Sequence, residues 1–181
     1  MSTPEATAPE IPSEFSRILD QRAVDGTLHH IEATPEECAA LAQRFMLVRI
    51  TTLSADVRLT KDGDKVLANG RLNASIVQSC AISAEDLPVT INEPLALRFA
   101  KPDETPASFD EEVELTDADC DEIAYDGERF DLGEAVAQSL ALAIDPYAEG
   151  PGAAKIRESG LLGEEKESPF AALKGLNLPK E

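Results

Sequence analysis

The sequence predicts an α+β fold in which an antiparallel sheet packs against two helices. Three observations carry this prediction. A helix start at residues 34–37 precedes a region, 48–99, in which β-branched residues are frequent and polarity alternates, and an amphipathic helical pattern follows at 132–144. Grouped strands flanked by helices are typical of the α+β class. We expect a sheet of four to six strands, either open or closed toward a barrel.

The first predicted helix follows a proline-rich start. Residues 1–13 carry three prolines among small and acidic residues, which predicts a disordered arm. A single domain is expected over 14–148. Thr34 can cap a helix, with Pro35 at its first position and Glu37 completing a capping box. The apolar residues that follow recur at helical spacing, so we predict a helix over about 35–46.

The central region predicts three strands with one buried face. Leu53, Val57 and Leu59 alternate with polar residues, and Asp62-Gly63 is a hairpin signal that leads into a second run. A third run spans 89–99. Together these runs predict an antiparallel meander. Pro94 indicates that the third strand lies at an edge or carries a bulge, because proline cannot donate to a ladder.

Two further elements are predicted after the meander. Residues 122–125 and Arg129-Phe130 flank Asp126-Gly127, a pattern that favours a short hairpin. Asp131 can then cap a core-facing helix over 132–144, along which apolar residues recur every four positions. Asp145-Pro146 should end this helix.

The last residues, 149–181, are expected to form a flexible tail. Ser168–Leu176 has the cap, proline, apolar face and closing glycine of a short helix near 169–175. Such a segment could dock into a groove on a partner. The alternative is an ordinary frayed terminus.

Charge is strongly segregated along the chain. The 181 residues hold 35 acidic and 16 basic side chains, a net charge of -19. Residues 101–134 contain 14 acids and 2 bases, whereas 48–99 contain six of each. A charge of this sign repels phosphate backbones and anionic membranes and attracts basic partners. The sequence therefore favours a protein that binds a partner.

No catalytic motif, cofactor site or metal site is predicted. Cys38, Cys80 and Cys120 are widely spaced and odd in number, which indicates buried thiols rather than disulfides or zinc ligands. Neither a signal-peptide pattern nor an apolar run of membrane-spanning length occurs. We expect a cytoplasmic protein that is not an enzyme.

Three modes of action are compatible with these patterns. The first is a basic protein held by an acidic surface, whose candidate residues are Asp110, Glu111, Glu112, Glu114, Asp117, Asp119, Asp121 and Glu122. The second is RNA held on the polar sheet face by Arg58, Arg71 and Arg98, near Asn73, Thr60 and Asn92. That face lacks aromatic residues for base stacking, so it could equally be an ordinary solvated face. The least favoured is a metal-dependent nuclease that uses the acidic cluster.

Three segments in order resemble the YceD family of large ribosomal RNA subunit accumulation proteins, in its alphaproteobacterial form. They are residues 70–80, residues 130–136 with 140–147, and residues 169–173, and the resemblance extends over roughly 13–178. Its motif positions here are Gln78, Cys80, Asp131, Leu132, Gly133, Glu134, Asp145 and Pro146.

The resemblance implies a non-catalytic, cytoplasmic role in synthesis, processing or stability of large-subunit ribosomal RNA. The expected partner is then a basic ribosomal protein or assembly factor. Many members carry a C-x-x-C pair and a second cysteine pair that look like a zinc site. Here Ser83 stands where the second cysteine of the C-x-x-C pair would be, and no cysteine lies near Pro146. We therefore expect the zinc site to be lost.

Overall fold

The fold combines a five-stranded sheet, a two-stranded sheet and three α-helices within the described residues, which are 13–101, 122–125 and 127–159 of a computed structural model. The α+β prediction is therefore confirmed. In chain order the elements are β1 (Ile18–Asp20), a 3₁₀ turn (Gln21–Ala23), β2 (Leu28–Glu32), α1 (Pro35–Arg44), β3 (Arg49–Asp62), β4 (Lys65–Ser79), β5 (Asp86–Ala100), β6 (Glu122–Ala124), β7 (Arg129–Asp131), α2 (Leu132–Ala143) and α3 (Gly152–Glu158).

The larger sheet is open. Its strand order is β2-β3-β4-β5-β6, antiparallel throughout except for the parallel pair β5 and β6. It does not close into a barrel, because β1 and β7 pair with each other in a separate two-stranded sheet. The predicted meander is β3, β4 and β5, and Gly63 takes a positive φ of 59° in the turn between the first two.

Pro94 marks an edge, as predicted. Within the described residues, β6 pairs with β5 only at residues 98–100, so Pro94 has β4 as its one neighbour. The register between β4 and β5 runs without a shift past this residue. Of the two interpretations of Pro94, an edge strand or a bulge, the edge strand is therefore the correct one.

The core lies between the inner face of the larger sheet and the helices α1 and α2. Its largest fully buried side chains come from the sheet, both helices and the segment before β1. Phe99 and Phe130 pack with ring centroids 4.5 Å apart. Each fully buried Leu, Ile or Phe contributes roughly 1.5–3 kcal/mol of transfer free energy, so this layer is the main source of stability.

Both predicted helices form. Helix α1 starts with the predicted capping box: Thr34 accepts from the Glu37 amide, and the Glu37 carboxylate accepts from the Thr34 amide. Asp131 caps α2 by accepting from the Glu134 amide. No helix in the described part of the chain has the length and apolarity to cross a bilayer.

The hairpin predicted around Asp126-Gly127 is wrong. β6 instead runs parallel to β5, and β7 pairs with β1, which is more than 100 residues away in sequence. A local turn pattern cannot reveal a partner at that separation. Helix α3 lies within residues 149–181, where a flexible tail was expected. Of the predicted arm, 1–13, only Ser13 is described, and its hydroxyl donates to the Glu134 carboxylate. The predicted short helix near 169–175 lies outside the described residues.

Candidate partner-binding surfaces

The predicted acidic surface divides into two parts. Asp110 through Asp121 lie outside the described residues, whereas Glu122 is described. The Glu122 carboxylate binds the ammonium of Lys65, and Arg98 Nη1 lies 3.3 Å from the same oxygen. Lys65 first, and Arg98 next, hold the pKa of Glu122 below its usual value. Glu122 thus uses its charge inside the fold and is a poor candidate for a partner contact.

The other described acids of the 101–134 stretch are also bonded within the fold. Glu128 pairs with Arg22, Asp131 caps α2, and Glu134 pairs with Arg44. The remaining charge is concentrated in what we name the acidic segment, residues 102–121, which holds nine acids and no basic residue. The described residues outside it carry 19 acids and 13 bases.

The acidic segment is attached at one edge of the larger sheet. It follows Lys101, directly after β5, and the chain re-enters the sheet at Glu122, opposite Arg98. Both attachment points are therefore at the β5–β6 edge.

The three arginines of the RNA alternative lie on one face. Alternation along the strands places Arg58, Arg71 and Arg98 on the outer side, together with Asn73 and Asn92, which are directly opposite each other. These side chains are exposed or half-buried. The sequence therefore grouped the residues correctly, although grouping does not test RNA binding.

Each of these arginines already has an internal partner. Arg58 donates to the Gly26 carbonyl at 2.7 Å, Arg71 donates to Asn92, and Arg98 pairs with Glu122. By register, the outer face carries five charges of each sign: the bases Arg49, Arg58, Lys65, Arg71 and Arg98, and the acids Glu32, Asp56, Asp62, Asp86 and Glu122. A balanced face with internally bonded arginines gives a weak electrostatic attraction for phosphates.

A groove that the sequence reasoning missed lies between β5 and α2. Leu95 and Leu97 line one wall, and Ser139, Leu142 and Ala143 line the other. The Leu142 side chain is 89% exposed. Two features of the sequence could have indicated this groove. Leu142 lies outside the set of buried residues of its helix, and the neighbouring strand contains prolines.

Four motif residues, 131–134, hold the N-terminal end of α2. We name the two acids among them, Asp131 and Glu134, together with their hydrogen-bond partners, the carboxylate cluster. Asp131 accepts from the Ser16 hydroxyl at 2.6 Å and the Arg17 amide at 2.7 Å. Both Glu134 oxygens accept from Arg44, at 2.7 and 2.9 Å. Arg44 is the main reason that the pKa of Glu134 falls to about 2.

The two residues between these acids, Leu132 and Gly133, allow α2 to pack closely against the rest of the fold. Leu132 is fully buried. A Cβ added to Gly133 would lie 2.8 Å from the amide nitrogen of Arg17, and closer still to the Phe15 carbonyl oxygen. Only glycine permits this approach of α2 to residues 15–17.

The C-terminal side of α2 is held by a different set of motif residues, which we name the thiol turn: residues 78–85 with 145–150. Buried Gln78 donates to the Asp145 carbonyl at 2.8 Å. The Cys80 Sγ accepts from the amides of Ile82, Ser83 and Gly150 at 3.3–3.4 Å. The Ser83 hydroxyl first, then these amides, lower the pKa of the Cys80 thiol to about 7.

A family model described as large ribosomal RNA subunit accumulation protein YceD matches residues 68–177, more than half of the chain. The chain belongs to the YceD family. No curated protein and no solved structure matched it. The YceD match begins within β4 and contains both the carboxylate cluster acids and the thiol turn, whereas α1, β2 and β3 precede it.

The residues of this YceD member do not fit a zinc site. Cys80 is the one cysteine of the thiol turn, because Ser83 stands where a second would lie, and structural zinc needs four strong ligands. Within 13–101, 122–125 and 127–159, no three His, Cys, Asp or Glu side chains come together as a metal site. Asp119 and Asp121, which the nuclease alternative invokes, lie outside those ranges.

Proposed function

We propose that this chain is a non-catalytic, cytoplasmic factor in the accumulation of large-subunit ribosomal RNA, and that its acidic segment binds a basic ribosomal protein or assembly factor. One observation carries the proposal. The acidic segment holds nine carboxylates and no base, while the neighbouring acids Glu122, Glu128, Asp131 and Glu134 are bonded inside the fold.

The charge arrangement supports a protein partner. Like-charged carboxylates repel phosphates and attract Lys and Arg, and this attraction raises association rates at low salt. At physiological ionic strength, charges farther apart than about 8 Å are largely screened. Binding should therefore depend on close contact with the segment and should weaken steeply as salt is added.

The fold supports this role by fixing where the segment starts and ends. Lys101 follows a strand that pairs with β4 from Asp86 to Phe99, and Glu122 is anchored by Lys65 and Arg98. A partner bound to the segment would therefore be held beside the β5–β6 edge. The predicted helix near 169–175 could add a second contact.

The test is a charge-neutralised variant in the full chain. Asp110, Glu111, Glu112, Glu114, Asp117 and Asp119 are changed to Asn or Gln, and the proteins that the chain captures from a cell lysate are quantified at low and high salt. The matched control removes the same charge from the two ends of the chain, by changing Glu5, Glu10, Glu164, Glu165, Glu167 and Glu181 to Gln.

We expect the wild type to retain basic ribosomal proteins at low salt and lose them at high salt. The segment variant should retain them at least tenfold less and show a flatter salt dependence, because six ionic contacts are removed. The end variant should behave like the wild type. Equal retention by the segment variant and the wild type would falsify the proposal.

Direct RNA binding is the second candidate, because Arg58, Arg71 and Arg98 lie together on the outer face. Gel shifts with ribosomal RNA precursor fragments would compare a triple Ala variant at these positions with a control in which Arg22, Arg129 and Arg157, which lie outside the larger sheet, are changed to Ala. Loss of a shifted band only in the first variant would favour RNA. No shift with the wild type would remove this candidate.

A further inference from the structure

The first described part of the chain, residues 13–24, is held by elements that come much later in the sequence. We name these residues the strap; they contain β1 and the 3₁₀ turn. β1 pairs with β7, and the Gln21 amide donates to the Glu128 carbonyl at 2.9 Å. The next strand, β2, pairs with β3 alone among the described residues. The strap is therefore a terminal piece whose strand partner lies more than 100 residues away.

Few apolar contacts hold the strap in place. Phe15 is fully buried and Val24 is buried, whereas Ile18 between them is 63% exposed. The guanidinium of Arg17 lies over the Phe15 ring, 4.5 Å from its centroid. Segments with few buried side chains and many exposed hydrogen bonds open at a lower free energy than the whole domain unfolds. The strap should therefore leave its site while the larger sheet stays folded, and Phe15 is its main anchor.

The polar contacts of the strap are those of a bound extended peptide. Arg17 pairs with Glu37 of α1 at 2.7 Å, and its carbonyl accepts from the Leu132 amide of α2 at 3.1 Å. The carboxylate cluster accepts from the hydroxyls of Ser13 and Ser16, each at 2.6 Å. A segment that adds a strand, inserts one side chain into a pocket and makes fixed polar contacts is a recurring mode of peptide recognition. The strap therefore occupies a peptide-binding site formed by β7, α1 and α2.

The strap joins the rest of the chain through an exposed turn, residues 25–27. Asp25 and Thr27 are exposed, and Gly26 takes a positive φ of 85°. Within the turn, the Thr27 amide donates to the Asp25 carboxylate at 3.0 Å. The Gly26 carbonyl accepts from Arg58 on the outer face of the larger sheet at 2.7 Å. Because none of these bonds involves the core, the turn can extend without disturbing it and is suited to act as a hinge.

We propose that the strap exchanges between two copies of this chain, so that residues 13–24 of each copy occupy the site formed by β7, α1 and α2 of the other. The occupant is identical to the one seated in the site, since a second copy supplies the same aromatic ring, hydroxyls and guanidinium. Exchange of an identical element is a low-cost route to a dimer. This inference goes beyond the proposed function and does not depend on the acidic segment.

The closed monomer and the exchanged dimer differ mainly in connectivity. In the monomer, the short hinge gives the strap an effective concentration of about millimolar order. The monomer should therefore dominate in dilute solution, and the dimer should appear as the protein concentration approaches that order. Shortening the hinge should favour the dimer, because a strap that cannot fold back onto its own chain can still reach a second copy.

The first test deletes residues 25–27 from the full chain and measures its mass by sedimentation equilibrium. We expect this variant to be a dimer at concentrations at which the wild type is a monomer. Adding Phe15→Ser should return the deletion variant to a monomer, because the anchor of the strap is lost. Adding Ile18→Ser is the matched control, since that strap residue is exposed, and the dimer should persist. A monomeric deletion variant, or a dimer that survives Phe15→Ser, would overturn the proposal.

The second test leaves the hinge intact and adds a synthetic peptide of residues 13–24 to the full chain. Phe15→Ser in the chain should release its own strap and open the site. We expect the peptide to shift the amide resonances of Arg129, Phe130 and Leu132 and to bind the Phe15→Ser chain at least about tenfold more tightly than the wild type, whose strap competes. The Ile18→Ser chain should bind it as weakly as the wild type does.

The control peptide carries the same Phe15→Ser substitution and should not bind. Equal binding of the two peptides, or equal binding of the unchanged peptide by the wild-type and Phe15→Ser chains, would show that the site does not recognise the strap. Either result would overturn the proposal. Peptide binding together with a monomeric deletion variant would overturn it as well, because the site would then accept a free peptide but not the strap of a second copy.

Discussion

The two ends of α2 are held by different chemistry. At its N-terminal end, the carboxylate cluster uses Asp131 and Glu134 to bind residues 13–17 and Arg44. Beyond its C-terminal end, the thiol turn uses a neutral amide, a sulfur and backbone groups. The first arrangement includes a carboxylate–guanidinium ion pair, whereas the second combines a thiol with two carboxylates, Asp145 and Glu85, that accept from the amides of Tyr147 and Gly152. Protonation of Glu134 below pH 4.5 should therefore loosen the first end of the helix, and protonation of Cys80 near pH 7 should loosen the second.

The comparison also separates stability from partner binding. The described motif residues make their main contacts within the chain, and the acids among them already have partners. Variants of the motif should therefore change folding, whereas the proposed function expects variants of the acidic segment to change binding.

The largest expected effect is a loss of stability on substitution of Gly133, where α2 approaches residues 15–17 closely. Gly133→Ala places a Cβ against the backbone of residues 15–17 and should lower the free energy of unfolding by about 3 kcal/mol. On helix propensity alone the same change should stabilise by about 1 kcal/mol, so the sign is diagnostic. Urea unfolding followed by circular dichroism measures it. A stability equal to or above wild type would show that residues 15–17 do not pack there.

Much of this arrangement follows from local sequence rules, and the rest depends on distant contacts. The caps at Thr34 and Asp131 were predictable because each involves residues within three positions. The role of Gly133 was not, because its neighbour in space is Phe15, which lies 118 positions earlier. The pairing of β1 with β7 could not be predicted for the same reason.

The candidate surfaces show the same limit. Alternation was enough to place Arg58, Arg71 and Arg98 on one face. The ion pairs of Glu122 could not be predicted from the sequence, since Lys65 and Arg98 belong to other strands. The groove was hidden as well, because it forms only where a strand edge and a helix meet.

A smaller effect is expected from the ion pair of the carboxylate cluster. Glu134→Gln should cost about 1 kcal/mol at pH 7, a modest value because Arg44 is partly exposed. The pKa of Glu134 is about 2 when folded, below its ordinary 4.5. Its contribution is therefore complete above pH 4.5 and is lost as pH falls toward 2.

The measurement is urea unfolding of wild type and Glu134→Gln from pH 7 to pH 2.5. The difference between them should shrink through this range as the wild-type carboxylate takes up a proton. Glu158→Gln serves as the control, because that acid lies in α3, outside the carboxylate cluster, and should give only a small change at pH 7. A Glu134→Gln difference that stays constant down to pH 2.5 would contradict the ion-pair explanation.

The smallest effect is expected at the thiol turn, where stability is also lost on acidification but in a higher pH range. The pKa of Cys80 is about 7, whereas burial raises the pKa of Cys38 above its usual value of 9. Because the folded pKa of Cys80 is lowered, its contribution to stability is complete above the unfolded value and decreases as pH falls through 7. In a Cys120→Ser background, the ultraviolet absorbance of the thiolate should titrate near pH 7. Cys80→Ser should remove this step and Cys38→Ser should retain it. A step that disappears with Cys38→Ser instead would assign the ionised thiol to Cys38 in α1 and not to Cys80.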